Sequence, residues 1–253
     1  MLRRWEGSEA EYAIEWGEAR WTLRLDGDRP GLRSGEIGPL LGLEGLSAVG
    51  RWDAGAMSGS SLVNVEERLG RIEATYVPEG WDELTLRAAW SSPSEEVIDL
   101  EVQVSTRSVG RLHAVEARVL STLSPPPGPG VYRSVEPRDA RSASFTYDGR
   151  ETDLSELSTG PPGPIQTPWL APKSGREGWT YVELVHPDDA SRRIMEGRLP
   201  FPTCRYGLFG FDLERGVVLR GRLRGVWLPK SEAFEGAERH RDAFLKEPLP
   251  LST

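Results

Sequence analysis

Apolar and polar residues alternate with period two over most of this chain, and the alternating runs are joined by only a few residues each. Four runs follow one another in the middle of the sequence: 62–77 (broken near Gly70), 81–90, 97–105 and 111–121. Pro78-Glu79-Gly80, Ser91-Ser92-Pro93-Ser94 and Ser108-Val109-Gly110 separate them, and all three have turn chemistry. A period of two is the spacing of side chains on one face of a strand. Connections this short force consecutive strands antiparallel, because a parallel return needs a crossover of about a dozen residues. A meander therefore forms the centre of the fold.

The same reading extends outward. Tyr12, Ile14 and Trp16 alternate with Ala13 and Glu15, Gly17 marks a turn, and Trp21, Leu23 and Leu25 answer them as the second arm of a hairpin. Strands are expected at 179–186, 203–212 and 217–228, the last two hinged at Glu214-Arg215-Gly216. Residues 188–196 read as a short helix, with Asp188 and Asp189 at its positive end, Arg192 and Arg193 later and Gly197 as a stop. A second helix is expected over 232–246. The segment 27–59 breaks the alternation and reads as a long irregular connection with a short strand around 40–46. The Pro-rich stretches at 122–130 and 148–178 read as stiff surface excursions. The expected class is all-β and mainly antiparallel: a large β-sandwich or supersandwich of twelve or more strands with one or two short helices. Residues 1–253 are expected to form a single domain.

Charge narrows the partners. With 31 Lys+Arg against 39 Asp+Glu the formal net charge is −8, which excludes the profile of a general nucleic-acid binder or a polybasic membrane module. Only three of the basic residues are lysines, a bias that codon usage explains without any function. The single cysteine, Cys204, permits no intramolecular disulfide and no thiolate metal centre. No apolar run approaches the roughly 18 residues of a membrane helix. The first nine residues carry two arginines but no apolar run after them, so a secretory signal is not expected. A cytoplasmic location follows as the expectation. No GxGxxG, Walker A, HExxH, GxSxG or Asp-rich calcium loop is present, and the three histidines lie far apart. Neither a cofactor nor a metal is expected.

Alternation also sorts polar residues onto faces. Asp99, Glu101 and Gln103 point away from Ile98, Leu100, Val102 and Val104. Arg220, Arg222 and Arg224 lie together opposite Leu219, Leu223 and Trp227. Such an arginine row has two readings: cross-strand Arg–acid pairs on a solvated sheet, or a basic strip in a concave sheet whose guanidinium forks take a carboxylate or phosphate. Trp179, Tyr181 and Glu183 share a face, where the aromatic rings are either sugar platforms or rim residues. His113 is placed on the side of Val115, Ala117 and Val119. His186 stands at a strand end before Pro187-Asp188-Asp189, where sites are often built. His240 falls in the charged C-terminal helix and reads as solvated.

The run of long strands from Arg71-Ile72-Glu73-Ala74-Thr75-Tyr76 through Trp81-Asp82-Glu83-Leu84-Thr85-Leu86 and Ile98-Asp99-Leu100-Glu101-Val102-Gln103-Val104 to Leu112-His113-Ala114-Val115-Glu116-Ala117-Arg118-Val119 resembles the galactose-mutarotase-like supersandwich proteins, in strand order and texture over about 60–200. The resemblance implies a concave sheet that binds sugars. It also implies chemistry by a histidine acid and a glutamate base, with His113 or His186 as the acid and Glu183 as the base. Arg71 and the arginine row would then hold hydroxyls or a carboxylate, with Asp99, Glu101, Trp179 and Tyr181 beside them. The expected ligand is a small sugar or anionic small molecule, with mutarotase, epimerase or lyase-type acid/base chemistry as one outcome. A non-catalytic β-sandwich that binds another protein or pairs as a homodimer is the alternative, and it requires an exposed apolar patch. A third arrangement, a β-barrel whose Gly/Pro-rich segments cover an apolar ligand, requires the arginine row to face outward.

Overall fold

The computed structural model describes residues 4–17, 19–35, 37–51, 55–68, 70–122, 130–133, 144–147, 152–153, 179–196, 198–199 and 203–247. The first five strands are β1 (Glu6–Ser8), β2 (Glu11–Trp16), β3 (Ala19–Arg24), β4 (Gly31–Ser34) and β5 (Ile37–Leu40), and they pair in chain order as one antiparallel sheet. Next come β6 (Gly42–Val49), β7 (Gly55–Ala56), β8 (Leu62–Arg68), β9 (Arg71–Tyr76), β10 (Leu84–Ser91), β11 (Val97–Thr106) and β12 (Arg111–Thr122). The later strands are β13 (Gly130–Arg133), β14 (Ser144–Tyr147), β15 (Thr152–Asp153), β16 (Trp179–Val185), β17 (Ala190–Glu196), β18 (Arg198–Leu199), β19 (Thr203–Glu214) and β20 (Val218–Pro229). A 3₁₀ turn, Lys230–Glu232, leads into the helix α1 (Ala233–Phe244). The protein is thus all-β and antiparallel apart from this helix, as the alternation requires.

Two sheets face each other. One has six strands in the order β16-β20-β11-β10-β9-β8, and the other has five in the order β17-β19-β12-β6-β7. The meander β8 to β11 lies wholly in the first, and β12 crosses to the second. Their inner faces carry the apolar residues that alternation selects: Ile72, Ala74 and Tyr76 on β9, Leu84, Leu86, Ala88 and Trp90 on β10, Ile98, Leu100, Val102 and Val104 on β11, and Val115, Ala117 and Val119 on β12, all buried in one cluster. The N-terminal sheet joins this cluster through Trp16, Trp21 and Leu23. Trp16 meets Trp21, Tyr181 and Trp227 at ring separations of 5.2, 5.6 and 6.0 Å, and its indole N–H donates to the Glu96 carbonyl at 2.9 Å. Gly225 on β20 makes this approach possible, because a Cβ there would stand 2.8 Å from the Tyr181 hydroxyl and 2.9 Å from the Trp16 ring.

Two expectations are corrected. Residues 190–196 form strand β17, not a helix: Arg192 pairs with Gly207 and Arg193 with Tyr206, so ladder pairing overrides the local helix-like charge pattern. The segment 27–59 is mostly strand, in four pieces (β4 to β7). Three of these pieces are four residues or shorter, too brief for alternation to register, and glycines interrupt them. The excursions at 122–130 and 148–178 fall almost entirely outside the described residues. The second helix expected near the C-terminus is α1. Ala237 and Phe244, two turns apart on one side of it, pack on Val182, Leu184, Val226 and Leu228 of the outer face of the six-stranded sheet.

Candidate functional site

The outer face of the six-stranded sheet carries the arginine row, and there Arg71, Arg222 and Arg224 are each paired with acids. Ladder register sets Asp99 beside Arg224, Glu101 beside Arg222 and Gln103 beside Arg220. Arg224 forks onto Asp99, with Nε–Oδ1 at 2.6 Å and Nη2–Oδ2 at 2.8 Å, and onto Glu247 at 2.9 and 2.7 Å. Burial works against the Arg224 charge, but the hydrogen bonds and negative charges of Asp99 and Glu247 outweigh it and raise the pKa. Asp189, in the turn that carries the chain from β16 to β17, accepts from the backbone N–H of Arg222 at 3.1 Å and from its Nε at 3.3 Å. Arg71 Nη1 donates to Glu101 at 3.1 Å, and Gln103 Nε2 donates to the same carboxylate at 2.6 Å. Arg224–Asp99 is a cross-strand pair of the first reading, largely buried rather than solvated, while Asp189 and Glu247 join the row from outside the strands.

Trp179, Tyr181 and Glu183 do not join them. They alternate onto the opposite, inner face of β16. Glu183 is 0% exposed, and its carboxylate accepts from Tyr181 OH at 2.8 Å, from Tyr206 OH at 3.0 Å and from the Ser121 hydroxyl. Burial raises its pKa in spite of these three donors. The neighbouring Cys204 thiol is pushed up to about 12 for the same reason, by burial. Because the folded protein holds the Glu183 proton more tightly than the unfolded chain does, this group's contribution to stability is complete below the unfolded value near ~4.3 and is lost as pH rises through the higher folded value. Glu183→Gln is therefore expected to flatten the pH dependence. Its urea midpoint relative to the parent should improve as pH rises above about 4, the pH at which the parent begins to lose this contribution.

Both histidines lie elsewhere. His113 is 61% exposed beside Asp212, at 3.4 Å, and is not on the apolar face of β12. The register slips between Leu112 and Val115, with Ala114 at φ 47°, and this bulge turns His113 out of the alternation. The Ala114 N–H and then Arg111 hold the Asp212 carboxyl below the usual range. His186 is mostly buried, its Nδ1 accepting from the Asp188 N–H at 3.3 Å, with its ring 6.3 Å from that of Phe244. No histidine therefore shares a face with Glu183. Exposed apolar residues of the kind the self-associating alternative requires occur where the chain crosses between the sheets, at the β11–β12 and β19–β20 turns, where Val109, Val217 and Val218 stand out. Among the described residues no group of three or more His, Cys, Asp or Glu is placed to hold a metal ion, and no helix is long and apolar enough to cross a membrane.

A second polar face, on the outside of the five-stranded sheet, holds residues that were not singled out from the sequence. Arg118 on β12 lies between Gly45 of β6 and Gly207 of β19, and Arg192 of β17 flanks Gly207 on the other side. With Arg205 they line a depression of about 30 Å³ floored by Gly207. Arg205 Nε is 3.1 Å from both oxygens of Glu44. Glu116 accepts from the Ser191 hydroxyl at 2.6 Å and pairs with Arg192 at 2.6 Å. Arg118 Nε is buried and has no hydrogen-bond partner among the described residues. A Cβ on Gly207 would meet the Ser191 hydroxyl at 2.9 Å and Arg192 and Glu116 at 3.0 Å, so a larger residue there would press on the side chains that rim the depression. The sequence signal was Gly207 inside a strand, a sign that something approaches the backbone closely.

No protein-family model and no curated protein matches the chain. Solved structures do superpose on it. The "putative mutarotase (YeaD)" of Salmonella typhimurium does so at TM-score 0.46 and 9% identity over 89% of this chain and 93% of its own. A mutant of the heparan sulfate lyase HepC of Pedobacter heparinus gives TM-score 0.46 and 9% identity over 88% of this chain, which spans only 36% of the lyase. The GalM/aldose epimerase homologue of C. elegans gives 0.38 and 6% over 86% and 78%. At these values the likeness carries no argument about what this chain binds or does.

Proposed function

We propose that the protein binds a small sugar acid on the outer face of the five-stranded sheet, with Arg118, Arg192 and Arg205 as the carboxylate-binding wall. The observation that carries this reading is the buried Arg118 Nε, which has no hydrogen-bond partner among the described residues and stands beside a glycine floor. A buried donor left unsatisfied costs about 1–3 kcal/mol, and an incoming carboxylate recovers it. Glu44 pairs with Arg205 and Glu116 with Arg192, and among the described residues no carboxylate pairs with Arg118, which is where an anion would add. Ser191 and the two glutamates supply the polar partners that ring hydroxyls need. Arg71, Asp99, Glu101 and the Arg220–Arg224 row lie on the other sheet and do not enter this site.

The test is calorimetric titration with glucuronate and galacturonate against glucose and galactose. Uronates are expected to bind saturably and the neutral sugars weakly. Arg118→Ala should weaken uronate binding by about 10- to 100-fold, the worth of a charge-assisted hydrogen bond. Gly207→Ala, which presses on the rim of the depression, should act in the same direction. Equal binding of uronates by the parent and by Arg118→Ala would refute the reading.

A further inference from the structure

The residues that follow α1 are held the way a ligand is held. Glu247, three residues past Phe244, sets its carboxylate end-on against Arg224, with Oε1 accepting from Nη1 at 2.9 Å and Oε2 from Nη2 at 2.7 Å. Its backbone carbonyl accepts from Arg222 Nη1 at 3.2 Å. Phe244 lies over both guanidinium groups, 5.2 Å from that of Arg222 and 4.7 Å from that of Arg224. The two sides of this contact are unequal. Arg224 is 5% exposed and fixed by Asp99 on the next strand, and Arg222 is fixed by Asp189, so the donors are pre-set by the sheet. The Glu247 side chain is 45% exposed. A rigid, buried set of N–H donors thus faces a guest on the surface, which is the arrangement that makes binding cheap.

The guest's chemistry is readable from its own skeleton. The side-chain carboxylate and the backbone carbonyl of a glutamate are the two ends of a five-carbon chain. A free molecule presenting the same two ends is glutarate or a substituted glutarate. We propose that Arg222 and Arg224 form a second ligand site, specific for five-carbon dicarboxylates, which the chain fills with its own Glu247. Such a ligand competes with Glu247 and loosens the end of α1. Asp99 and Asp189 offset the charges of the two arginines. Affinity therefore comes from aimed donors rather than net charge, and falls in the millimolar range where a tethered group competes effectively.

The full-length Glu247→Ala variant tests this. Glutarate is expected to raise its melting temperature saturably at millimolar concentrations. The parent should need at least about tenfold more glutarate for any response, because Glu247 holds the site. Butyrate, with one carboxylate, should act more weakly than glutarate, and Glu247→Ala combined with Arg224→Gln should not respond. Should the alanine variant fold poorly, Glu247→Gln serves in its place, since it removes the charge and keeps the length. A response of Glu247→Ala to glutarate no larger than to sodium chloride at equal ionic strength would overturn the proposal. An equal response from the double variant would do the same. Because the response should persist when Arg118 is also alanine, this outcome is separate from that of the sugar-acid site.

Discussion

Arg224→Ala is expected to lower the free energy of unfolding by about 3–5 kcal/mol, the cost of removing one partner from a buried ion pair. The guanidinium is almost wholly buried and serves two carboxylates at once, Asp99 on β11 and Glu247 beyond α1. Removing it leaves the half-buried Asp99 without its fork and takes from Phe244 one of the two cations it covers. A loss of that size is a large share of the roughly 5–15 kcal/mol that holds a domain together. Urea unfolding should show a much lower midpoint with little change in slope. A shift under about 0.5 kcal/mol, the range of ordinary surface substitutions, would mean that the row is solvated and that its geometry contributes nothing to the fold.

Trp16→Ala should cost a similar amount, about 3–5 kcal/mol, by a different route. Trp16 is fully buried at the point where the N-terminal sheet meets β16 and β20, in ring contact with Trp21, Tyr181 and Trp227. Truncation opens a cavity beside Gly225, which has no side chain to fill it, and strips the Glu96 carbonyl of its indole donor. Thermal unfolding and near-ultraviolet circular dichroism should both report it, the first as a lower midpoint and the second as loss of the coupled indole signal. An unchanged midpoint would show that the N-terminal sheet is dispensable for the sandwich.

The meander was legible because its strands are long and half-buried, so each writes the period-two pattern without interruption. Of the pieces β4 to β7 only β6 was in view, as the short strand expected around 40–46; the others, two to four residues each and broken by glycines, hold too little pattern. Residues 190–196 misled for a physical reason. Asp188 and Asp189 ahead of Arg192 and Arg193 satisfy helix electrostatics locally, while pairing with β19 decides the outcome from a distance. The arginine row was read correctly as a row, and its cross-strand acids Asp99 and Glu101 were in view. Asp189 and Glu247 come from a turn and from the chain beyond α1, which strand periodicity does not reach. His113 was misplaced by the bulge at Ala114, which no alternation pattern announces. Arg118, Arg192 and Arg205 sit on three different strands, and only the ladder register brings them around Gly207. A site assembled across strands is invisible to any reading that works along one strand at a time.

The sugar-acid site is tested most directly at the Nε–H of Arg118, followed by proton–nitrogen NMR of the arginine side chains during titration with glucuronate. A saturable downfield shift of the Arg118 signal is expected, as the buried donor gains a carboxylate, while the Arg224 signal stays in place. A shift at Arg224 with none at Arg118, or no shift at either while glucuronate binds, would contradict it.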